Sequence, residues 1–122
     1  MILAVIHMKV KPRKRKELSQ AITSLLSFVR SEKGCVLCDF FHGVEDENIF
    51  CLLQEWETRK HFETYSESEY FKVLRGAMHL LDEPWEIILY QRSQPAGKLQ
   101  GNGLDNTTGK LRIQELQHEN NV

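Results

Sequence analysis

Apolar residues alternate along the start of the chain. Ile2, Ala4, Ile6, Met8 and Val10 make one continuously apolar face, while Leu3, Val5, His7 and Lys9 make a second that is half apolar. A period of two predicts a first strand. From Leu18 the spacing becomes helical: Leu18, Ala21, Ile22, Leu25, Leu26 and Val29 form one stripe, with Glu17, Ser19, Gln20, Ser24 and Ser27 opposite. Pro12 suits the opening turn of that helix, and Gly34 supplies the left-handed residue that commonly ends one, with Lys33 in the last turn. Cys35 to Val44 and Ile49 to Trp56 read as a second and third strand joined by the polar turn Glu45-Asp46-Glu47-Asn48. Helical spacing returns at Phe71, Leu74, Met78 and Leu81. Thr58 is the expected N-cap, Ser66 and Glu69 form a capping-box pattern that re-aims the helix, and Pro84 ends it. Trp85 to Tyr90 predicts a fourth strand.

The order βαββαβ predicts an α+β ferredoxin-like domain with an antiparallel sheet over residues 1–91. The strands are apolar on both faces. In the third, Phe50, Leu52 and Trp56 oppose Ile49, Cys51 and Leu53; in the fourth, Trp85, Ile87 and Leu89 oppose Ile88 and Tyr90. Two helices cover one face only, so the other needs a second cover, and another copy of the same sheet is the simplest one. A homodimer is therefore expected. After Gln91, the residues Pro95, Gly97, Gly101, Asn102, Gly103, Asn106 and Gly109 break any periodicity, which predicts linker or loop to Lys110. Leu111, Ile113 and Leu116 suggest a short final element. Residues 92–122 thus read as a C-terminal linker and tail packed on the dimer.

Composition narrows the function classes. The chain has 122 residues, 14.3 kDa and 41% hydrophobic residues, enough for one domain with a modest core. Its formal net charge of -1, from 16 basic and 17 acidic residues, gives no global attraction to nucleic acid or an anionic membrane. The apolar start Met1 to Ile6 is interrupted by His7, Lys9 and Lys11, too early for a signal peptide or membrane span, so the expected address is cytoplasmic. Lys9, Lys11, Arg13, Lys14, Arg15 and Lys16 form a local basic cluster. It reads first as a solvated face and second as a contact for an anion or anionic partner; no aromatic residues interleave it as a nucleic-acid surface would require. Cys35, Cys38 and Cys51 are odd in number. Cys35-Val36-Leu37-Cys38 has redox or zinc spacing, yet in a regular strand residues three apart face opposite ways, and no second Cys/His pair completes a tetrad. Buried structural thiols and no metal are expected.

Several of these segments together resemble the antibiotic-biosynthesis-monooxygenase-like superfamily of dimeric α/β barrels. They are the helix Leu18 to Val29, the approach Arg30-Ser31-Glu32-Lys33-Gly34-Cys35, Gln54-Glu55-Trp56 at the end of the third strand, and Phe62, Tyr65, Ser68 and Phe71 beyond it. The similarity spans roughly the first ninety residues. It implies two ferredoxin-like subunits packed sheet to sheet, and a family that includes cofactor-free oxygenases of phenols, anthrones and quinols, haem-degrading enzymes and isomerase-like members. Many members carry His where this chain has Tyr65. The haem-degrading branch has Trp there and His at the position of Arg75, which disfavours haem here, although His79 lies one turn further along. The leading expectation is a cofactor-independent monooxygenase-like protein acting on a small electron-rich aromatic or quinol. A non-catalytic small-molecule-binding or regulatory dimer is the alternative, with a rearrangement or isomerase activity third.

The pocket that the resemblance implies lies between helices and sheet. Tyr65, His7 and His42 are the candidate acid or base residues, and Trp56, Phe62, Phe71 and His79 the candidate substrate contacts. Each has a structural reading beside the functional one. Trp56 packs or stacks on substrate; Tyr65 donates to a substrate oxygen or keeps a wet hydroxyl; each His acts near neutral pH or only fills its place.

Overall fold

The structure, a computed structural model, describes residues 1–91, 97–104 and 111–114. The alternating start becomes β1 (Ile2–Lys9), and a 3-10 turn, Pro12–Lys14, leads into α1 (Arg15–Arg30). β2 (Cys35–His42) and β3 (Ile49–Trp56) form the expected hairpin. The second helical region comprises α2 (Arg59–Ser66), α3 (Glu69–Gly76) and a 3-10 turn, Ala77–Leu80, before β4 (Glu86–Gln91). The four strands form an antiparallel sheet in the order β2-β3-β1-β4. That is the ferredoxin-like arrangement the element order predicts.

The register fixes which residues share a face. Ile6 pairs with Leu52 on one side and Ile87 on the other, so Ile2, Ala4, Ile6, Met8, Phe50, Leu52, Gln54 and Trp56 all face the helices, and all are buried. α1 sets Leu18, Ile22 and Val29 against them, and α2 and α3 add Phe62, Tyr65, Phe71 and Leu74. No element of residues 1–91 covers the opposite face. Leu3, Val5, Leu37, Ile49, Cys51 and Leu53 are half-buried there, while Phe41, Ile88 and Tyr90 are 51%, 39% and 49% exposed. No helix among the described residues is long and apolar enough to cross a membrane.

Four local expectations are corrected. The helix carrying Phe71 does not run to Leu81: it ends at Gly76, and Leu81 instead bridges Val10 at the edge of the sheet. The cap that starts it is Ser68, whose Oγ accepts from the Phe71 N–H at 3.3 Å. Ser66 Oγ is spent on the carbonyl of Glu63 at 2.7 Å, the local back-bonding that competes with capping. β2 stops at His42 rather than Val44: the Gly43 N–H still reaches the Ile49 carbonyl across the hairpin, and the chain bends at Val44 and Glu45. Finally, Lys98–Leu104 is not loop but β5, antiparallel to β6 (Leu111–Gln114). The register between them shifts from Leu99 to Leu104, an irregularity that accommodates Gly101 and Gly103 in a strand.

β5 and β6 belong to a second compact unit, Arg92–Val122, distinct from the unit Met1–Gln91. Pro95, Asn106, Gly109 and Leu116, on which the reading of the tail also drew, lie outside the described residues.

Gly34 carries the entry to β2. Its φ is 86°, and its carbonyl accepts from the Glu57 N–H at 2.8 Å, tying the start of β2 to the end of β3. The ring of His61 lies where a Cβ on Gly34 would stand. Gly34→Ala is expected to destabilise the domain by at least about 1–2 kcal/mol, the left-handed cost for an L side chain. A lowered urea midpoint with unchanged slope would register it.

Candidate functional site

Strand alternation sends Gln54 and Trp56 to the helix face at the end of β3, where α2 presents Phe62 and Tyr65 three residues apart. The indole of Trp56 stacks on Tyr65 with centroids 4.7 Å apart and an interplanar angle of 25°. Phe62 meets Trp56 and Phe71 meets Tyr65 edge-on, at 6.4 and 5.3 Å, and the exposed Arg75 guanidinium lies 5.3 Å from the Phe71 ring centre. Four of the seven candidate residues therefore come together. Their rings are closely packed, with Trp56 0% and Tyr65 1% exposed.

At the centre lies Gln54, fully buried. Trp56 Nε1–H donates to Gln54 Oε1 at 3.1 Å, and Gln54 Nε2 donates to the Tyr65 hydroxyl at 3.0 Å and toward Cys38 Sγ at 3.7 Å. Indole N–H has no acceptor capacity, so the amide oxygen must face Trp56 and the amide nitrogen must face Tyr65. Tyr65 is thereby an acceptor, and its own O–H proton has no acceptor among the described residues. Burial, the largest influence, pushes the Tyr65 hydroxyl well above its usual value of 10, against the opposing effect of the Gln54 bond. Tyr65 is a neutral donor at physiological pH and not a base.

The two cysteines of the Cys35-Val36-Leu37-Cys38 run stand on the same face, contrary to the strict alternation expected of them. Cys35 pairs with Trp56 and Cys38 with Gln54, because a bulge between Cys35 and Leu37 inserts one residue and restores parity. Cys38 is buried beside Gln54, and burial raises its thiol to about 11. It is a protonated, unreactive thiol. Among the described residues no three His, Cys, Asp or Glu side chains group as a metal site.

The three candidate histidines lie apart from this cluster. His7 is exposed on the uncovered sheet face, between Cys51 and Glu86 in register. His79 is exposed on the 3-10 turn, where Nδ1 donates to the Gly76 carbonyl at 2.8 Å. His42, at the end of β2, borders a cavity of about 380 Å³ between the start of α1 and the β2–β3 hairpin. Sequence reading named Gln54 only as part of a motif and gave it no place in the site. The available signal was a polar residue at a strictly inward position, between Leu52 and Trp56.

Residues 1–77 match the family model described as antibiotic biosynthesis monooxygenase. A Bacillus subtilis (strain 168) protein named "Putative monooxygenase YcnE" is 31% identical over 96 residues, 77% of this chain and 100% of that protein. A conserved protein from Methanosarcina mazei Go1 of known structure has a TM-score of 0.72 at 27% identity, covering 75% of this chain and 92% of that one. Rv0793 from Mycobacterium tuberculosis has the same fold, with a TM-score of 0.73 at 17% identity over 78% and 97% of the two chains.

Gln54→Leu keeps the volume near and removes every bond of the cluster, leaving the Trp56 N–H buried without a partner. It is expected to cost about 1–3 kcal/mol, read as a fall in urea midpoint. A variant as stable as the parent would mean that water replaces the amide.

Proposed function

We propose, for a chain that belongs to the antibiotic biosynthesis monooxygenase family, that it oxygenates a small electron-rich aromatic or quinol without a cofactor. The observation that carries this reading is the O–H proton of Tyr65, which has no acceptor among the described residues and is held inside a buried aromatic cluster. A deprotonated phenol or quinol is electron-rich enough to react with dioxygen itself. The protein then needs to bind it, keep water away and stabilise negative charge as it passes onto oxygen. A neutral tyrosine in a dry site suits that last role, because a hydrogen bond there is worth more than in water. Trp56, Phe62 and Phe71 would supply the ring contacts to substrate, and entry requires one of these rings to move aside.

The same closure supports a second reading. A ring cluster already packed on itself is what a ligand-binding or regulatory member of the family would have if it binds without turnover, and His42 lies away from the cluster, at the cavity. The two readings differ in whether ligand is consumed.

In either case the uncovered sheet face supports a homodimer packed sheet to sheet, with Leu53, Val5 and Leu37 at its centre and His7 inside the interface. The tail, residues 92–122, would pack on that dimer.

Metal- and flavin-free protein is expected to raise oxygen uptake above the spontaneous rate with at least one of a panel of quinols, anthrones and phenols. Tyr65→Phe should lower that rate by about tenfold or more, equivalent to roughly 1.4 kcal/mol of barrier, while the fold persists. Uptake that never exceeds the spontaneous rate would favour the binding protein. For the assembly, Leu53→Arg should convert a dimer to a monomer in sedimentation, and truncation after Arg92 should weaken the dimer if the tail packs on it.

A further inference from the structure

The cationic segment that opens α1 has no part in the reaction above. Lys11, Arg13, Lys14, Arg15 and Lys16 fall in one short run, where like charges repel and where positive charge opposes the helix macrodipole. Two of the five are compensated. Lys14 lies 3.5 Å from Glu17, and Arg15 lies 3.4 Å from Glu47 while also donating to Asn48 Oδ1 at 3.0 Å. Arg13 and Lys16 have no ion pair or hydrogen bond among the described residues, and both line the cavity of about 380 Å³ beside His42.

We propose that this cavity binds a small organic anion, with a carboxylate or phosphate head group on Arg13 and Lys16 and a body the size of one aromatic ring against Pro12, over the edge of the buried Phe50. Charge is the first reason. Arg13, Arg15 and Lys16 outnumber Glu47, so the lining is net positive, and Glu47 is already engaged by Arg15. Size is the second. The cavity falls in the roughly 300–1,000 Å³ range of small-molecule sites, far more room than a bare phosphate fills. Chemistry is the third: a guanidinium and an ammonium from one turn offer a fork and a point charge to the same oxyanion. Ser19 adds a hydroxyl to the lining, and His42 borders it, with its Nδ1 donating to the Gly43 carbonyl at 3.1 Å. Pro12 is exposed and gives the lining its apolar surface, and the buried Phe50, held edge-on by Phe40 with centroids 5.0 Å apart at 84°, closes the floor.

The site is separate from the aromatic cluster. Phe50 and Trp56 lie at opposite ends of β3, six residues apart, which is roughly 20 Å at about 3.3 Å per residue. One small substrate cannot touch both, so the anion is a second ligand, whether or not the protein is an oxygenase.

Calorimetric titration of the full chain with phenyl phosphate, benzoate, benzyl alcohol and inorganic phosphate tests this. Phenyl phosphate or benzoate should saturate, the tighter of the two naming the head group. Benzyl alcohol and inorganic phosphate should each bind about tenfold more weakly or not at all. Arg13→Gln with Lys16→Gln should weaken the anion by about tenfold or more at unchanged circular dichroism, since both side chains are exposed. Lys33→Gln with Lys60→Gln, an equal loss of charge elsewhere, should leave it unchanged. Failure of both aromatic anions to saturate, or equal losses in the two double variants, would overturn the site. Inorganic phosphate binding as tightly as phenyl phosphate would overturn the organic body.

Discussion

Trp56 has one polar atom, and that atom can only donate. Burying it at the end of β3 without an acceptor would leave a costly unpaired N–H, so an acceptor must be buried beside it. Gln54 is that acceptor, two residues back on the same face. Once its oxygen is committed, its nitrogen has to find partners too, and these are the Tyr65 hydroxyl and the Cys38 sulfur. One amide thereby ties β2 and β3 to α2. The bulge at Val36 is part of the same arrangement, since regular pairing would not bring Cys35 and Cys38 to one face.

The consequence for chemistry follows from hydrogen-bond direction. A tyrosine that accepts from an amide still has a proton to give, and burial ensures that it keeps that proton at any physiological pH. The site is thus suited to stabilising negative charge on a neighbour and unsuited to removing a proton. If, as proposed, a phenol or quinol reacts there, it has to arrive ionised or lose its proton elsewhere. Phenols and quinols with low enough pKa values meet that condition, which limits the range of substrates more than the fold does.

Most of the architecture was legible because it rests on periodicity. Alternation in β1 and β3 and the stripe of α1 specify the sheet, its buried face and its open face, and Gly34 marks the one left-handed residue among those described. The break between α2 and α3 was legible in outline. Its cap was not, because Ser66 and Ser68 carry the same hydroxyl, and only backbone geometry decides which one reaches a free N–H. Glycine content misled at Lys98–Leu104, where an irregular register lets glycines stay in a strand. In the site, aromatic residues at helical spacing pointed to the cluster. Which histidines join it depends on strand parity and tertiary placement, and none of His7, His42 and His79 does.

The two ends of β3 face different demands. At the Trp56 end a donor-only indole, an amide and a tyrosine bond to one another, so the core closes, with the Tyr65 proton the one left without an acceptor among the described residues of the cluster. At the Phe50 end the wall is apolar, while the chain entering α1 brings cations that exceed their local counter-ions. That excess cannot be relieved within the sheet, since the inward residues of β1 and β3 there are Met8, Phe50 and Leu52. Solvent or an anion has to meet it, and a cavity with a hydrophobic wall admits an organic anion more readily than it orders water. The sheet spacing sets the two ends apart, and β1, β2 and β3 all run from one to the other, so any effect of a ligand at one end on the other has to pass along the sheet.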